Sequence, residues 1–120
     1  MICSQSIIRV LDNSGISLVK IIGTLGNKKS ITLGDILIGV IKKCSSRSKI
    51  KKGKIVRVLL VNTKKSFLRM NGSYICFDKN FVVVLNSDNS PLGTTIFGAI
   101  PFEIKEKGFS KVASIAREII

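Results

Sequence analysis

The residues best able to do chemistry in this sequence are cations, and they are concentrated in its middle. Between Lys42 and Arg69 the chain carries eleven of its twenty Lys and Arg residues, and no Asp or Glu occurs from Ile36 through Phe77. Arginine can fork two phosphate oxygens, and lysine acts as a compact point charge. The spacing therefore predicts a phosphate-binding surface that includes Lys42, Lys43, Arg47, Lys49, Lys51, Lys52, Lys54, Lys64 and Lys65.

The net charge of +13 indicates a polyanionic partner, because a small domain with that surplus repels itself. Nucleic acid and an anionic membrane are the two candidates. The membrane is the weaker one, because the basic stretch has neither an amphipathic helix nor a lipidation site. A solvated charge run is a fair alternative for any one lysine, but not for a whole acid-free stretch.

Catalytic and metal chemistry have few residues to use. The chain has no His, which removes Ser-His-Asp and Cys-His arrangements, and its seven acids form no tight constellation in sequence. Cys3, Cys44 and Cys76 are scattered, so we expect buried thiols in a reducing compartment and no zinc site. We therefore predict a protein that is not an enzyme and that uses no metal or other cofactor.

Short β-branched runs separated by turn residues must position the cations. They predict strands over residues 6–11, 17–25, 35–42, 55–61, 67–70, 73–77 and 81–85. Such a series favours one mainly β domain, residues 1–120, built as a closed or nearly closed small barrel. Helix is expected only near the end, after Pro101 and over residues 110–117.

Two connections carry the predicted site. Residues 42–54, rich in Ser and Lys, should project from the barrel as a basic loop. Asn71-Gly72 has the chemistry of a two-residue type I′ turn, with positive φ at both residues, and should join a projecting β-hairpin. Phe67 and Tyr74 flank this hairpin, and the sequence leaves two roles open for them, stacking on a base or packing in the barrel core.

Six motifs in register resemble one known family. They are Asp12-Asn13-Ser14-Gly15, Ile50-Lys51-Lys52-Gly53, Asn62-Thr63-Lys64-Lys65, Asn71-Gly72-Ser73 with Phe77-Asp78 and Asn80, Pro91-Leu92-Gly93-Thr94, and Ile96-Phe97-Gly98. Together they resemble the universal large-subunit ribosomal protein fourteen family of bacteria and organelles. The resemblance covers nearly the whole chain.

This resemblance implies a five-stranded barrel with short C-terminal helices, packed on large-subunit ribosomal RNA. It adds Arg69 to the expected RNA contacts. It also implies neighbours from ribosomal protein families three and nineteen, intersubunit bridges to small-subunit RNA, and docking of a ribosome-silencing factor. The subunit-interface candidates are Thr94, Thr95 and Lys111.

The sequence departs from the family pattern at several of these places. Arg is usual in the family where Asn62, Leu68 and Thr95 stand, and Ala-Pro-Glu is usual where Ala116-Arg117-Glu118 stands. Of the contacts that the resemblance implies, the intersubunit bridges and the silencing-factor contact are the most affected, because Thr95 and Arg117 both lie in the C-terminal region.

Composition also suggests a location. Ile, Lys, Ser and Asn are abundant while Ala and Pro are scarce, as in proteins encoded by A/T-rich genomes. With no recognisable presequence, we expect an organelle-encoded protein of a mitochondrial ribosome in the matrix; the alternatives are a plastid or the cytoplasm of a bacterium. A free nucleic-acid-binding barrel, or an accessory factor of a nucleic-acid enzyme, is the alternative function.

Overall fold

The computed structural model describes residues 6–26, 31–48 and 50–120, which form a mainly β structure. In chain order the elements are β1 (Ile7–Val10), β2 (Ile16–Thr24), β3 (Ile36–Cys44), β4 (Ile55–Asn62), β5 (Phe67–Leu68), β6 (Tyr74–Ile75), β7 (Phe81–Leu85), β8 (Ile96–Ile100), α1 (Glu103–Glu106), α2 (Ser110–Ser114) and β9 (Ala116–Ile119). Strands β1, β2, β3, β4 and β7 close a barrel in that order, which confirms the predicted five-stranded barrel. Each neighbouring pair is antiparallel except β1 and β7, whose parallel pairing sets Arg9 beside Phe81.

The barrel interior is filled by alternate side chains of its strands, as the two-residue period of a strand requires. The fully buried members include Val19, Ile21, Leu37, Ile41, Val58, Leu60, Val82 and Val84. Gly39 faces inward at the closest approach of β2 and β3. A Cβ there would collide with Val19 Cγ1 and lie 3.0 Å from the Lys20 carbonyl oxygen. The small residue is therefore required by packing.

A second core lies outside the barrel and explains why β4 and β7 are buried on both faces. Side chains on the outer face of these strands pack against β8, α1 and α2. The cluster includes Leu59, Val61, Val83, Leu85, Ile96, Ile100, Ile104 and Val112. The C-terminal segment thus covers one side of the barrel, while the outer faces of β1, β2 and β3 carry exposed residues.

The end of the chain differs from the sequence prediction. The helix expected over residues 110–117 ends at Ser114, and Ala116–Ile119 forms β9, which pairs in parallel with β8. The sequence analysis assigned neither strand. Parallel pairing joins segments that are not adjacent in the chain, so no local turn signal announces it.

The hairpin exists, but its turn is not type I′. Gly72 has φ +88°, whereas Asn71 is not among the described residues with positive φ. Arg69 N–H donates to the Ser73 carbonyl at 2.8 Å, and Gly72 N–H donates to the Arg69 carbonyl at 3.0 Å. The loop therefore has three residues, Met70 to Gly72, which is the type I turn followed by a left-handed glycine.

This turn shifts the register of the hairpin by one residue. Leu68 pairs with Tyr74, where the two-residue turn would have set Arg69 opposite Tyr74. The cause is the Asn71 side chain, whose Oδ1 accepts hydrogen bonds from Ser73 N at 3.0 Å and Ser73 Oγ at 2.6 Å. An Asx turn of this kind competes with the left-handed conformation that a type I′ turn needs at Asn71.

Candidate nucleic-acid interface

The basic loop, residues 42–54, is anchored to the barrel near its middle. Ser45 N–H donates to the Gly15 carbonyl at 2.6 Å, and Ser48 packs against Gly15, leaving Ser48 only 5% exposed. Ser48 Oγ donates to the Ile50 carbonyl at 2.8 Å, and the Ile50 side chain packs against the barrel core. The loop was expected to project because it could not bury itself. The structure instead shows the loop fixed to the barrel at Ser45–Ser48 and at Ile50. Its exposed cations therefore extend from a backbone that is already held in place.

The loop presents cations on both sides of this anchor. Lys42 and Lys43 are near the end of β3, before the anchor, and the other cations follow the end of this strand. Those exposed to solvent are Lys42, Lys43, Arg47, Lys51, Lys52 and Lys54. Lys51 Nζ also donates to the Ser46 carbonyl at 2.9 Å, which holds one ammonium over the loop. Lys49 lies outside the described residues. A set of cations held on one backbone can meet several phosphates of a folded RNA with little loss of conformational freedom.

The second predicted loop, at Lys64 and Lys65, is held by the segment that precedes β7. Lys64 N–H donates to Asn80 Oδ1 at 2.8 Å, and the Thr63 carbonyl accepts a hydrogen bond from Phe77 N–H at 3.0 Å. Both lysine side chains are exposed. This second loop therefore also presents its charge from a fixed backbone.

Arg9 was missed by the sequence analysis, and the structure places it between the two loops. A depression of about 510 Å³ is lined by the three cations Arg9, Lys64 and Lys79 and by one acid, Asp78, among others. A neighbouring depression of about 580 Å³ is lined by Arg9 and Lys43, among others. Because Ile8 points into the barrel, the strand period alone puts Arg9 outside, and that signal was available in the sequence.

Arg69 stands apart from these cations. Its Nε lies 2.7 Å from Glu103 Oε1, its Nη2 donates to Glu103 Oε2 at 3.2 Å, and Nη2 also donates to the Ile120 main-chain oxygen. The guanidinium thus ties the hairpin to the C-terminal segment. That Arg69 contacts RNA stays a prediction, and its guanidinium already has an intramolecular partner in Glu103.

Thr94 and Thr95 are held by the Asp12–Gly15 turn. Asn13 Oδ1 accepts hydrogen bonds from Thr94 N at 2.7 Å and Thr95 N at 3.1 Å, and Asn13 Nδ2 donates to Thr94 Oγ1 at 2.7 Å. Asp12 beside it is buried; burial raises the pKa of its carboxyl, opposed by hydrogen bonds from Ser14 and Val84. Thr94 is exposed and Thr95 half-buried.

Lys111, the third interface candidate, is exposed on α2. It lies near Asp88, whose pKa is lowered chiefly by hydrogen bonds from Ser90 and to a lesser extent by this ammonium. On the neighbouring β9, the guanidinium of Arg117 lies 5.0 Å from the centre of the Phe97 ring. Lys111 thus lies on a helix that packs in the second core, whereas the threonines are bonded to Asn13, which lines the same depression as Lys43 and Ser45 of the basic loop.

Two further observations concern other kinds of site. Among residues 6–26, 31–48 and 50–120, no three Cys, Asp or Glu side chains come together as a metal site would need. In the same residues, no helix has the length and apolar character needed to cross a membrane.

Comparison with known proteins gives consistent matches over the full chain. The sequence profile of the family described as "Ribosomal protein L14p/L23e" matches residues 1–120. A curated relative from the bacterium Petrotoga mobilis, "Large ribosomal subunit protein uL14", is 39% identical over 121 residues. That alignment covers 99% of this chain and 99% of the relative.

Proposed function

This chain belongs to the ribosomal protein L14p/L23e family, and from that premise we propose that it binds large-subunit ribosomal RNA through its basic loop. Membership makes it a structural constituent of the large ribosomal subunit and not an enzyme. The proposal concerns what this constituent touches, and with which residues.

The observation that carries the proposal is a dense set of exposed cations on an anchored backbone. Lys51 and Lys52 stand next to Ile50, which is partly buried against the barrel core, and Arg47 precedes the buried Ser48. Charge alone would be compatible with a solvated surface. A loop that is already ordered in the free protein loses less conformational entropy when it binds RNA, so more of the charge attraction contributes to affinity.

Arg9 extends the proposed RNA surface beyond the predicted residues. It lines both depressions, one with Lys64 and Lys79 and the other with Lys43. We assign these four side chains to a continuous path for an RNA backbone between the two basic loops. Of the residues that line the two depressions, one is aromatic, Phe81, so backbone and shape recognition suits this path better than base stacking.

The finer contacts implied by the family resemblance are also proposals. Thr94, Thr95 and Lys111 would face the small subunit and help form bridges to its RNA, and a ribosome-silencing factor would dock there. Neighbours would come from ribosomal protein families three and nineteen. The hydrogen bonds that Thr94 N and Thr95 N donate to Asn13 Oδ1 support this assignment, because they fix the backbone that presents both threonines.

A mitochondrial ribosome is the proposed location, with a plastid or a bacterium as the alternatives. The A/T-rich pattern of residue usage supports an organelle genome, and a bacterial relative at 39% identity is compatible with all three. Fractionation of cells that express a tagged chain decides among them, since the tag should follow mitochondrial ribosomes.

Co-sedimentation tests the RNA-binding proposal. The chain should travel with the large subunit in a sucrose gradient through a moderate salt wash, and Arg9→Gln with Lys52→Gln should lower the salt concentration at which it is released. A variant of two exposed lysines on the C-terminal helices, Lys105→Gln on α1 with Lys111→Gln on α2, serves as the matched control. Release at the same salt for both variants would contradict the proposed surface, and a chain that never joins the large subunit would favour a free nucleic-acid-binding protein.

A further inference from the structure

The part of the outer barrel face that the second core leaves uncovered carries a mainly apolar row that the proposed RNA surface does not use. Ile7 pairs with Lys20, Lys20 with Val40, and Val40 with Ile55. These four residues stand side by side across β1, β2, β3 and β4, a width of about 14 Å at the usual strand spacing. All four point outward, because Ile8, Ile21, Gly39 and Val56 next to them face the interior.

A second row lies one pleat further along the same strands. Ile38 pairs with Arg57 on one side and with Gly23 on the other, and Ile22 lies at the irregularity beside Gly23. Ile7 is 58% exposed, Ile22 is 41% exposed and Ile55 is 66% exposed. We call the two rows the isoleucine face; its members are Ile7, Lys20, Ile22, Ile38, Val40, Ile55 and Arg57.

The charge of the isoleucine face has one sign. Its ionisable members are Lys20 and Arg57, and the next outward position of β3 is Lys42. Among the described residues, no outward position of β1, β2 or β3 is an Asp or Glu. The two outward positions of β4 in this face are Ile55 and Arg57, so they add no acid either. Single exposed isoleucines are ordinary in strands, where β-branched residues are favoured. A contiguous two-row patch is the pattern of an interaction site.

The chemistry of this face suits a protein better than RNA. Phosphates gain nothing from isoleucine, and desolvating them against Ile55 and Ile7 would cost free energy. Apolar side chains of a protein would bury these isoleucines, and carboxylates at the edge of the contact would pair with Lys20 and Arg57.

We propose that the isoleucine face docks an acidic amphipathic segment of a neighbouring protein in the assembled large subunit. The segment presents apolar side chains to Ile7, Val40 and Ile55, and at least two carboxylates to Lys20 and Arg57. This inference does not depend on the RNA contacts proposed above, because Lys20 and Ile55 belong to neither basic loop.

Photo-crosslinking in intact particles tests the proposal. Benzoylphenylalanine replaces Ile55 in a tagged full-length chain, large subunits that contain it are purified and irradiated, and the adduct is identified by mass spectrometry. The same probe at Met70, a fully exposed hairpin residue, is the position control. A second chain carries the Ile55 probe together with Lys20→Glu and Arg57→Glu, and its adduct is normalised to the amount incorporated.

The expected adduct is a protein peptide with two or more acidic residues near the crosslink, and its yield should fall about tenfold in the charge-reversed chain. That adduct should be absent from the Met70 control. An adduct to ribosomal RNA, an adduct to a peptide without acids, a yield that charge reversal leaves unchanged, or no adduct at Ile55 would each overturn the proposal.

Discussion

Arg69 and Glu103 form an ion pair that joins the hairpin to the first C-terminal helix. Nε lies 2.7 Å from Oε1, and the two side chains are 20% and 23% exposed. The hairpin itself has only two short strands, and a two-stranded ribbon is marginally stable alone. Its position on the molecule therefore depends on contacts such as this ion pair beside its turn and the packing of Phe67 against the second core.

Arg69→Ala should lower the free energy of unfolding by about 1–2 kcal/mol, because the Glu103 carboxylate, which is mostly buried, loses its partner. This loss lies between those typical of exposed ion pairs and of fully buried ones. Urea unfolding measures the loss, and amide exchange should rise in β5 and β6. Glu103→Gln and the double variant complete a cycle that isolates the pair. Unchanged stability with reduced RNA affinity would instead assign Arg69 to RNA.

Lys51→Ala with Lys52→Ala should leave the free energy of unfolding within about 1 kcal/mol, because both side chains are exposed loop charges. For the unaltered protein, the slope of log affinity for a large-subunit RNA fragment against log salt should be about −4 to −7 if six to eight phosphates are neutralised. The variant's slope should be shallower by about 1–2. Lys105→Ala with Lys111→Ala removes the same charge elsewhere and should keep the slope; equal slopes in all three proteins would remove the loop from the RNA surface.

Gly72→Val should loosen the hairpin, because Gly72 has φ +88°, a conformation that costs a β-branched residue about 1–3 kcal/mol. Gly72→Asn is the matched control, since asparagine tolerates the left-handed region. Hydrogen exchange at Arg69 N–H, which donates to Ser73 across the turn, should accelerate in the valine variant and stay near the original rate in the asparagine variant. Equal exchange in the two variants would contradict the left-handed conformation of Gly72.

Gly39→Ala should cost about 1–3 kcal/mol, because the added methyl group collides with Val19 Cγ1 inside the barrel. Val19→Ala alone should also destabilise, by leaving a cavity. The double variant should be more stable than the sum of the two losses implies, since each change makes room for the other. Strict additivity in urea unfolding would show that the strands move apart instead.

The parts of the fold that local patterns determine were predictable from the sequence. Alternation and turn residues define β1 to β4 and β7, and the predicted strand over residues 81–85 coincides with β7. Strands β8 and β9 were not predicted, because Ile96 and Ala116 meet only through tertiary pairing. The hairpin register was wrong because the side chain of Asn71, rather than its backbone preference, selects the turn.

The candidate site divides in the same way. A run of lysines is visible in any sequence, so the basic loop was found, whereas its anchoring by Gly15 and Ile50 required the structure. Arg9 joins the site only because β1 closes the barrel beside β7. Arg69 belongs to the same charge run as the loop lysines, yet its partner, Glu103, is distant in sequence, and the run itself gives no sign of it.

Closure of the barrel by the parallel pair of β1 and β7 has a consequence for synthesis. While the chain emerges from its N-terminus, β1 to β4 can form a sheet, but both edges stay open until Phe81–Leu85 has been made. The outer side of β4 stays bare longer still, until Ile96 to Val112 arrive to cover it. Non-local closure of this kind slows folding and leaves unpaired strand edges that favour aggregation. The acid-free stretch from Ile36 through Phe77 lies within the part made first, so the unfinished chain carries a high density of like charge that keeps its copies apart.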